Sequence, residues 1–462
     1  MSKESKGKGT LRKLAYGIGS IADTGSYSIL STFLLFFLID VVLIDAWLAA
    51  LIYILAYGVW NAINDPIVGT LSDRTRTRLG RRKPWILVGA PLCLIFYILL
   101  WGPPIGIGEL GIFFFMLFAV AGYEFSYSMA AVTWFAVFPE VWETVEERSS
   151  VVIYRQIFAV IGGALAVGLF PVIQATFSDI FNELVGWTIA GATLGMVFTI
   201  TFLISVLGIK EHKEYSLEKQ MPLFKSIKTT FKNKSMVTYI VIDLMTWSMF
   251  GWMGAISPFF ITHSLGLGIE TVSIMMIPNM FATIIFFFPW RKIYIRYGPN
   301  ISLTASSILQ MIVYLMVFFI SDIIGITLWG LFLGMATSGI LVAREVMMGD
   351  VVDEDEVKTG LRREGSYFGF MIMIEKLSLV VVGLFAAILL DAIIGYNPSL
   401  PDPPHMDISI RIGMVVIVGI FTLILIAFLQ IYPLTKEKVA EIREKVEQLH
   451  TEKRERLEKI EK

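Results

Sequence analysis

The sequence predicts an all-α membrane protein of twelve transmembrane helices in two six-helix halves, with both termini cytoplasmic. Three observations predict it. Of 462 residues, 56% are hydrophobic and 17% charged, whereas a soluble domain has about 45–50% apolar and about 25% charged residues. Twelve apolar runs are long enough for the roughly 20 residues that cross a bilayer. Lys and Arg gather in alternate loops, the pattern that orients a polytopic chain. The same composition excludes other classes. With 38 Lys+Arg against 39 Asp+Glu, there is no basic surface for nucleic acid. The single cysteine, Cys93, lies in an apolar run and forms no intrachain disulfide. The first apolar segment is too long for a signal-peptide core, and no small-residue cleavage site follows it.

Taken in order, apolar runs broken by charge place spans 1–6 at 14–39, 47–71, 84–101, 110–138, 150–176 and 185–209. Spans 7–12 fall at 236–262, 269–290, 301–320, 323–348, 365–394 and 408–432. Span 1 follows a basic tail (Lys3, Lys6, Lys8, Arg12, Lys13), and six basic residues from Arg74 to Lys83 separate spans 2 and 3. Arg148 stands among four glutamates between spans 4 and 5. Seven lysines mark the stretch Lys210–Lys234 between the halves. Arg291, Lys292 and Arg296 follow span 8, and Lys358, Arg362 and Arg363 follow span 10. The opposite side has Arg411 alone, so the basic side, with both ends, is the expected cytoplasmic one. The expected organisation is a bundle at 1–209, a linker at 210–235, a second bundle at 236–432 and a charged tail at 433–462. In that tail Val439, Ile442, Val446, Leu449, Leu457 and Ile460 recur at near-helical spacing among Lys, Arg and Glu. They predict an amphipathic helix against the cytoplasmic face, and fewer than three clean heptads weaken a coiled-coil reading.

An ionisable group at bilayer depth costs at least about 2.5–3.5 kcal/mol, which makes it a functional candidate. The candidates are Asp23 in span 1, Asp65 in span 2, Glu124 in span 4, Arg155 in span 5 and Asp243 in span 7, with Arg344 and Glu345 in span 10 and Glu375 and Lys376 in span 11. Acids and bases in several helices imply a shared polar cavity, because each needs a partner or water. No filter repeat marks a channel, no phosphate loop an ATP-driven pump, and no Ser, Cys and His combine as in an enzyme. A secondary transporter with its site between two halves remains. All four histidines fall outside the predicted spans, which excludes an intramembrane histidine relay and any metal cluster.

Between spans 2 and 3 stands Gly69-Thr70-Leu71-Ser72-Asp73-Arg74, then Leu79-Gly80-Arg81-Arg82-Lys83. This resembles the loop signature of the major facilitator superfamily. Pro289-Trp290-Arg291-Lys292 through Gly298 looks like a degraded copy in the second half. Trp60-Asn61-Ala62-Ile63-Asn64-Asp65-Pro66, Lys83-Pro84-Trp85, Leu14-Ala15-Tyr16-Gly17, Asp350-Val351-Val352-Asp353 and Glu364-Gly365-Ser366-Tyr367 are narrower. They resemble the glycoside–pentoside–hexuronide cation symporter family, typified by the melibiose carrier, in both halves of the chain.

The resemblance implies a major facilitator fold and cation-coupled uptake of a sugar, glycoside or similar solute. It implies a cation site at Asp65, Asn61 and Asn64 in span 2, with Ser126 in span 4 and Lys376 in span 11. Asn61 stands where the family pattern has a second aspartate, four residues or one helical turn from Asp65. That loss of a charge favours H⁺ over Na⁺ as the coupling ion; the plainer alternative is that Asp65 only bonds a neighbouring helix. Arg155 matches an arginine near the family's substrate cavity, or pairs structurally with Glu124 or Asp23.

The substrate set then comprises Asp23, Thr24, Tyr27, Glu124, Trp134, Arg155, Asp243 and Glu375. Thr24 falls at the family's span-1 sugar aspartate, and Met129 or Ala130 at its span-4 aspartate, so an α-galactoside is not implied. Trp247, Trp252 and Asn279 either line the cavity or pack helices. Asp73, Arg74, Arg148, Asp350, Asp353 and Arg363 are expected to form a cytoplasmic gate. The expected partners are a small solute, a coupling cation and the lipid of the cell membrane, with a monomer as the expected state and no cofactor. A lipid or lysolipid carrier of the same fold is the alternative, and a non-transporting receptor has no reason to keep so many buried charges.

Overall fold

Apolar runs of this length leave the backbone one way to satisfy its polar groups in lipid, the α-helix, and the chain takes it throughout the membrane part. The computed structural model describes residues 3–142, 145–210, 233–359 and 364–461. Twelve helices there are long and apolar enough to cross a membrane. The first six are Gly9–Val41, Ala46–Ser72, Lys83–Trp101, Glu109–Phe138, Ser150–Ile180 and Glu183–Gly208. The second six are Lys234–Ser264, Thr271–Tyr297, Pro299–Phe319, Ile323–Thr359, Met373–Ile393 and Met406–Gln430. The expected order is therefore present, and most of the linker lies outside the described residues.

Five of these helices carry a π-helical turn: Phe37–Val41 in span 1, Ile54–Trp60 in span 2, Leu165–Leu169 in span 5, Phe260–Ser264 in span 7 and Ile388–Ile393 in span 11. Spans 1 and 7, like spans 5 and 11, hold matching places in the two halves. In spans 1 and 7 the turn is the last one. The weak internal repeat of the sequence thus recurs as a repeat of helix defects, and π-turns gather at functional positions because the extra residue re-aims side chains.

The chain groups into two units. Unit 1 is Met1–Lys219, Met253–Ile277 and Leu379–Ile410; unit 2 is Gln220–Trp252, Pro278–Ser378 and Arg411–Lys462. The sequence division at the linker differs from this grouping. The ends of spans 7 and 11 farthest from the termini cluster with spans 1–6, tied by polar contacts from Asp40 and Trp47. Inside unit 1, Gly19 lets span 1 close on span 4, since a Cβ there would stand 3.0 Å from the Trp134 ring.

Two local expectations change. The acidic stretch beyond the expected end of span 10 at 348 continues its helix: it forms the last turns of Ile323–Thr359, with Asp350, Glu354, Asp355 and Glu356 buried. His263, expected just outside span 7, lies in the π-helical end of that span. The tail does form a helix, Lys436–Glu461, whose Val439, Ile442 and Val446 are buried. It packs on the span 10 helix. Arg443 Nη2 donates to Asp350 Oδ1 at 2.9 Å, and Lys436 Nζ donates to the Arg296 carbonyl at 2.8 Å. The Asp350 carboxylate holds the Arg443 guanidinium above its ordinary pKa. Burying an isoleucine contributes about 1.5–3 kcal/mol, so Ile442→Asp is expected to undock the tail. Limited trypsin digestion should then cut the tail at least tenfold faster; an unchanged rate would show that the buried stripe does not hold it.

Candidate functional site

Spans 2 and 4 run in the same direction, so residues one turn apart on each can meet in matching pairs. Asn61 and Asp65 face Glu124 and Ser128 in this way. Asn61 Nδ2 donates to Glu124 Oε2 at 2.9 Å, and the Ser128 hydroxyl donates to Asp65 Oδ1. Asn64 Nδ2 donates to Asn61 Oδ1 at 3.0 Å. Asn61, Asn64, Glu124 and Ser128 are buried, and Asp65 is half-buried. Asn64 Oδ1 is a buried acceptor without a hydrogen-bond partner among the described residues.

Local sequence prepares this arrangement. The π-turn Ile54–Trp60 ends immediately before Asn61 and sets which way the following turn faces. Pro66 has no N–H to give to the carbonyl of Ala62, which adds an acceptor next to Asp65. The result is a cluster of hard oxygen donors: two carboxylates, two amides and a hydroxyl. Such a set suits a small hard cation or a proton.

Three residues of the expected cation site, Asn61, Asn64 and Asp65, are therefore together. Ser126 is not with them: its hydroxyl turns back to the Gly122 carbonyl at 2.7 Å. The hydroxyl on Asp65 belongs to Ser128, about 200° further round the helix. The matched i,i+4 spacing of 61/65 and 124/128 was the signal that could have found it. Glu124, expected on the substrate side, is hydrogen-bonded to Asn61 within this oxygen cluster. Lys376 is buried on span 11, within unit 2, and the neighbouring Glu375 is half-buried.

Of the other expected solute contacts, Asp23 on span 1 accepts from the Tyr127 hydroxyl at 2.5 Å. Thr24 and Tyr27, one and four residues on, are half-buried. Trp134, expected among the solute contacts, is packed within unit 1. It is fully buried, its ring is stacked on Tyr16 at 4.9 Å, and the Arg155 guanidinium lies 4.7 Å from its centroid. Arg155 also lies 4.7 Å from the Phe135 ring, so it sits among aromatic faces and not in the pair with Glu124 or Asp23 that was its alternative.

Unit 2 holds a second buried polar group. Arg344 Nε on span 10 donates to Asp243 Oδ1 on span 7, and both residues are buried. The guanidinium also binds Glu345 at 2.8 Å and lies 4.8 Å from the Trp247 ring. Tyr239 donates to the Arg344 carbonyl at 3.2 Å. Asp243, expected to touch solute, is thus first a partner for Arg344. Trp252 is fully buried, as packing predicts, and Asn279 is buried too.

The expected gate is only partly within view. Arg74 is exposed and Asp353 half-buried. Asp350 accepts from Arg443 and from the Tyr294 hydroxyl at 3.2 Å, so its partner in unit 2 is the tail. The side chains of Asp73 and Arg148 lie outside the described ones, and Arg363 lies outside the described residues.

Comparison with known proteins follows the same line. A family model described as MFS/sugar transport protein matches residues 15–436. An uncharacterized symporter of Synechocystis sp. is 25% identical over 94% of this chain and 96% of its own. Sodium-dependent lysophosphatidylcholine symporter 1 of Gallus gallus is 24% identical over 95% of this chain and 89% of its own. The isoprimeverose transporter of Lactiplantibacillus pentosus is 22% identical over 82% and 80%. Among solved structures, the nucleoside transporter NupG superposes with a TM-score of 0.66 at 12% identity, over 92% of this chain and 100% of that one. That likeness concerns the fold.

Proposed function

The chain belongs to the MFS/sugar transport protein family, and from that premise we propose that it drives a sugar or glycoside across the membrane with a cation bound at Asp65 and Glu124. It is a multi-pass membrane protein, a secondary transporter and symporter, not an enzyme. The observation that carries the proposal is the oxygen cluster across spans 2 and 4. Cation and solute together favour reorientation of the two halves, which is a linkage between two sites.

The preference for H⁺ rested on the carboxylate missing at residue 61. Glu124, hydrogen-bonded to Asn61, brings a carboxylate to the same place from the neighbouring helix. We therefore read the site as one for Na⁺, in keeping with the sodium dependence named for the Gallus gallus relative. The sugar class rests on the family description and on the isoprimeverose relative. A lysolipid is the second reading. It is favoured by one observation: Trp134 is packed away and Asp23 is engaged by Tyr127, which weakens a sugar clamp on that side.

A thermal-shift panel of monosaccharides, glycosides and lysophospholipids, with and without Na⁺ and at two pH values, tests both readings. A ligand at 100 times its Kd stabilises by about 2.7 kcal/mol. A shift of several degrees with a glycoside, larger in Na⁺, is the expected result. A shift with lysophospholipid alone would replace the sugar reading, and a response to pH without one to Na⁺ would return the site to protons.

A further inference from the structure

At the ends of the spans farthest from the termini, three distant parts of unit 1 meet on one imidazole. His263, in the π-helical end of span 7, has Nε2 at 2.5 Å from Asp40 Oδ2 and Nδ1 at 2.8 Å from Asp402 Oδ2. Asp40 lies in the π-helical end of span 1, and Asp402 in the segment between spans 11 and 12. His263 and Asp40 are largely buried, with side chains 15% and 10% exposed, whereas Asp402 is 44% exposed.

The proton count is fixed by the donors. Each N···O contact needs one hydrogen, so two contacts need two. A neutral imidazole with two carboxylates brings one. The closed cluster therefore holds one proton more than its parts carry when His263 is neutral and both acids are ionised. Its net charge is −1 and not −2, whichever atom carries the extra proton. The groups around it do not supply that hydrogen. The Tyr396 hydroxyl is already given to Asp40 Oδ1 at 2.9 Å, and its ring stands edge-on to His263 at 5.3 Å. Glu183, at the start of span 6, adds a negative charge to the field at Asp40. On span 7 itself the neighbour is the Phe259 ring. Further along, Trp47 Nε1 is given to Asp391 Oδ2 at 2.7 Å, and His405 meets the Ile394 carbonyl.

We propose that Asp40, His263 and Asp402 form a proton-binding latch, which ties the end of span 1 to the end of span 7 and to the segment after span 11. Loss of its one extra proton leaves one contact without a hydrogen and two carboxylates facing a neutral ring, and the tie opens. The sign follows from linkage: protons bind the closed form, so the latch is closed at low pH and released as pH rises. In a transporter of two halves, the ends of spans 1, 7 and 11 must part when the path opens on that face. The latch makes that opening depend on protons, apart from the coupling ion at Asp65.

The test uses the full chain in lipid nanodiscs. Cys93→Ser removes the native thiol, and spin labels go on Ile105→Cys and Leu400→Cys, both exposed positions in unit 1. Electron–electron distances are recorded from about pH 5 to about pH 9. A short distance at low pH should give way to a longer one along a one-proton titration. His263→Gln should show the longer distance at every pH. Asp402→Asn, whose amide brings its own N–H to Nδ1, should close without the extra proton and hold the short distance to high pH. Asp65→Asn should leave the titration where it is. Distances that do not change with pH, or a His263→Gln protein that titrates as the parent does, would overturn the latch. So would a titration that moves with Asp65→Asn and stays as in the parent with Asp402→Asn.

Discussion

Asp65→Asn is expected to abolish cation-driven accumulation of the solute while leaving a folded protein that still exchanges it. Asparagine keeps the shape of the side chain and an oxygen for the Ser128 hydroxyl, so packing between spans 2 and 4 is preserved. What goes is the charge. Removing one partner of a buried charged contact costs about 3–5 kcal/mol, and each 1.4 kcal/mol is about tenfold in affinity. Cation affinity should therefore fall by roughly 100-fold or more. Uptake into proteoliposomes under a Na⁺ gradient reads the loss, and counterflow with equal Na⁺ on both sides reads the exchange that survives. Glu124→Gln gives the sharper discrimination between ions. It should raise the Na⁺ concentration for half-maximal uptake at least tenfold, because the second carboxylate of the site is then neutral. If Glu124→Gln leaves Na⁺ dependence untouched and Asp65→Asn alone removes pH-driven uptake, the site takes one proton at one carboxylate. Full coupling in Asp65→Asn would remove the site from spans 2 and 4 altogether.

The contrast between Ser126 and Ser128 says what a sequence of this kind discloses. Twelve apolar runs stand out because lipid demands them, and charge interrupting hydrophobicity marks most of their ends, but not that of span 10, whose helix continues through the acidic residues to Thr359. Asp65, Asn61 and Asn64 were named through the resemblance to the symporter family, whose pattern they match within one turn of span 2. Ser128 and Glu124 were harder, since their role depends on which face of span 4 meets span 2. Only the repeat of the four-residue spacing on both helices hints at that. Asp40, His263 and Asp402 were out of reach: they are 139 or more positions apart in both steps that join them to His263. No local period connects them. The π-turns at Asp40 and His263 are equally silent, since a single extra residue in a turn leaves the apolar pattern intact.

Asp243 and Arg344 show a buried charge whose meaning turns on its partner. Alone in span 7, Asp243 reads as a solute contact. Beside Arg344 it is one half of an ion pair buried in unit 2, with the Trp247 ring 4.8 Å from the guanidinium. Asp243 Oδ2 has no hydrogen-bond partner among the described residues, so the pair is not fully satisfied there. A buried pair contributes little net stability, because desolvation offsets the attraction, but breaking it strands a charge. Asp243→Ala is therefore expected to destabilise the protein by about 3–5 kcal/mol, enough to lower its yield in membranes severely. Arg344→Met alone leaves the carboxylate stranded, which can take up a proton, so its cost should be smaller. The double variant Asp243→Leu/Arg344→Met removes both charges and should recover most of the lost stability, measured by thermal unfolding in detergent. Transport then separates the two roles. If the double variant folds and still accumulates solute, the pair serves the packing of spans 7 and 10. If it folds and binds no solute in the thermal-shift panel, Asp243 Oδ2 is a solute acceptor that Arg344 holds in place. Equal stability of the parent and Asp243→Ala would show that the buried guanidinium has found another partner, against the placement of Asp243 as its principal one.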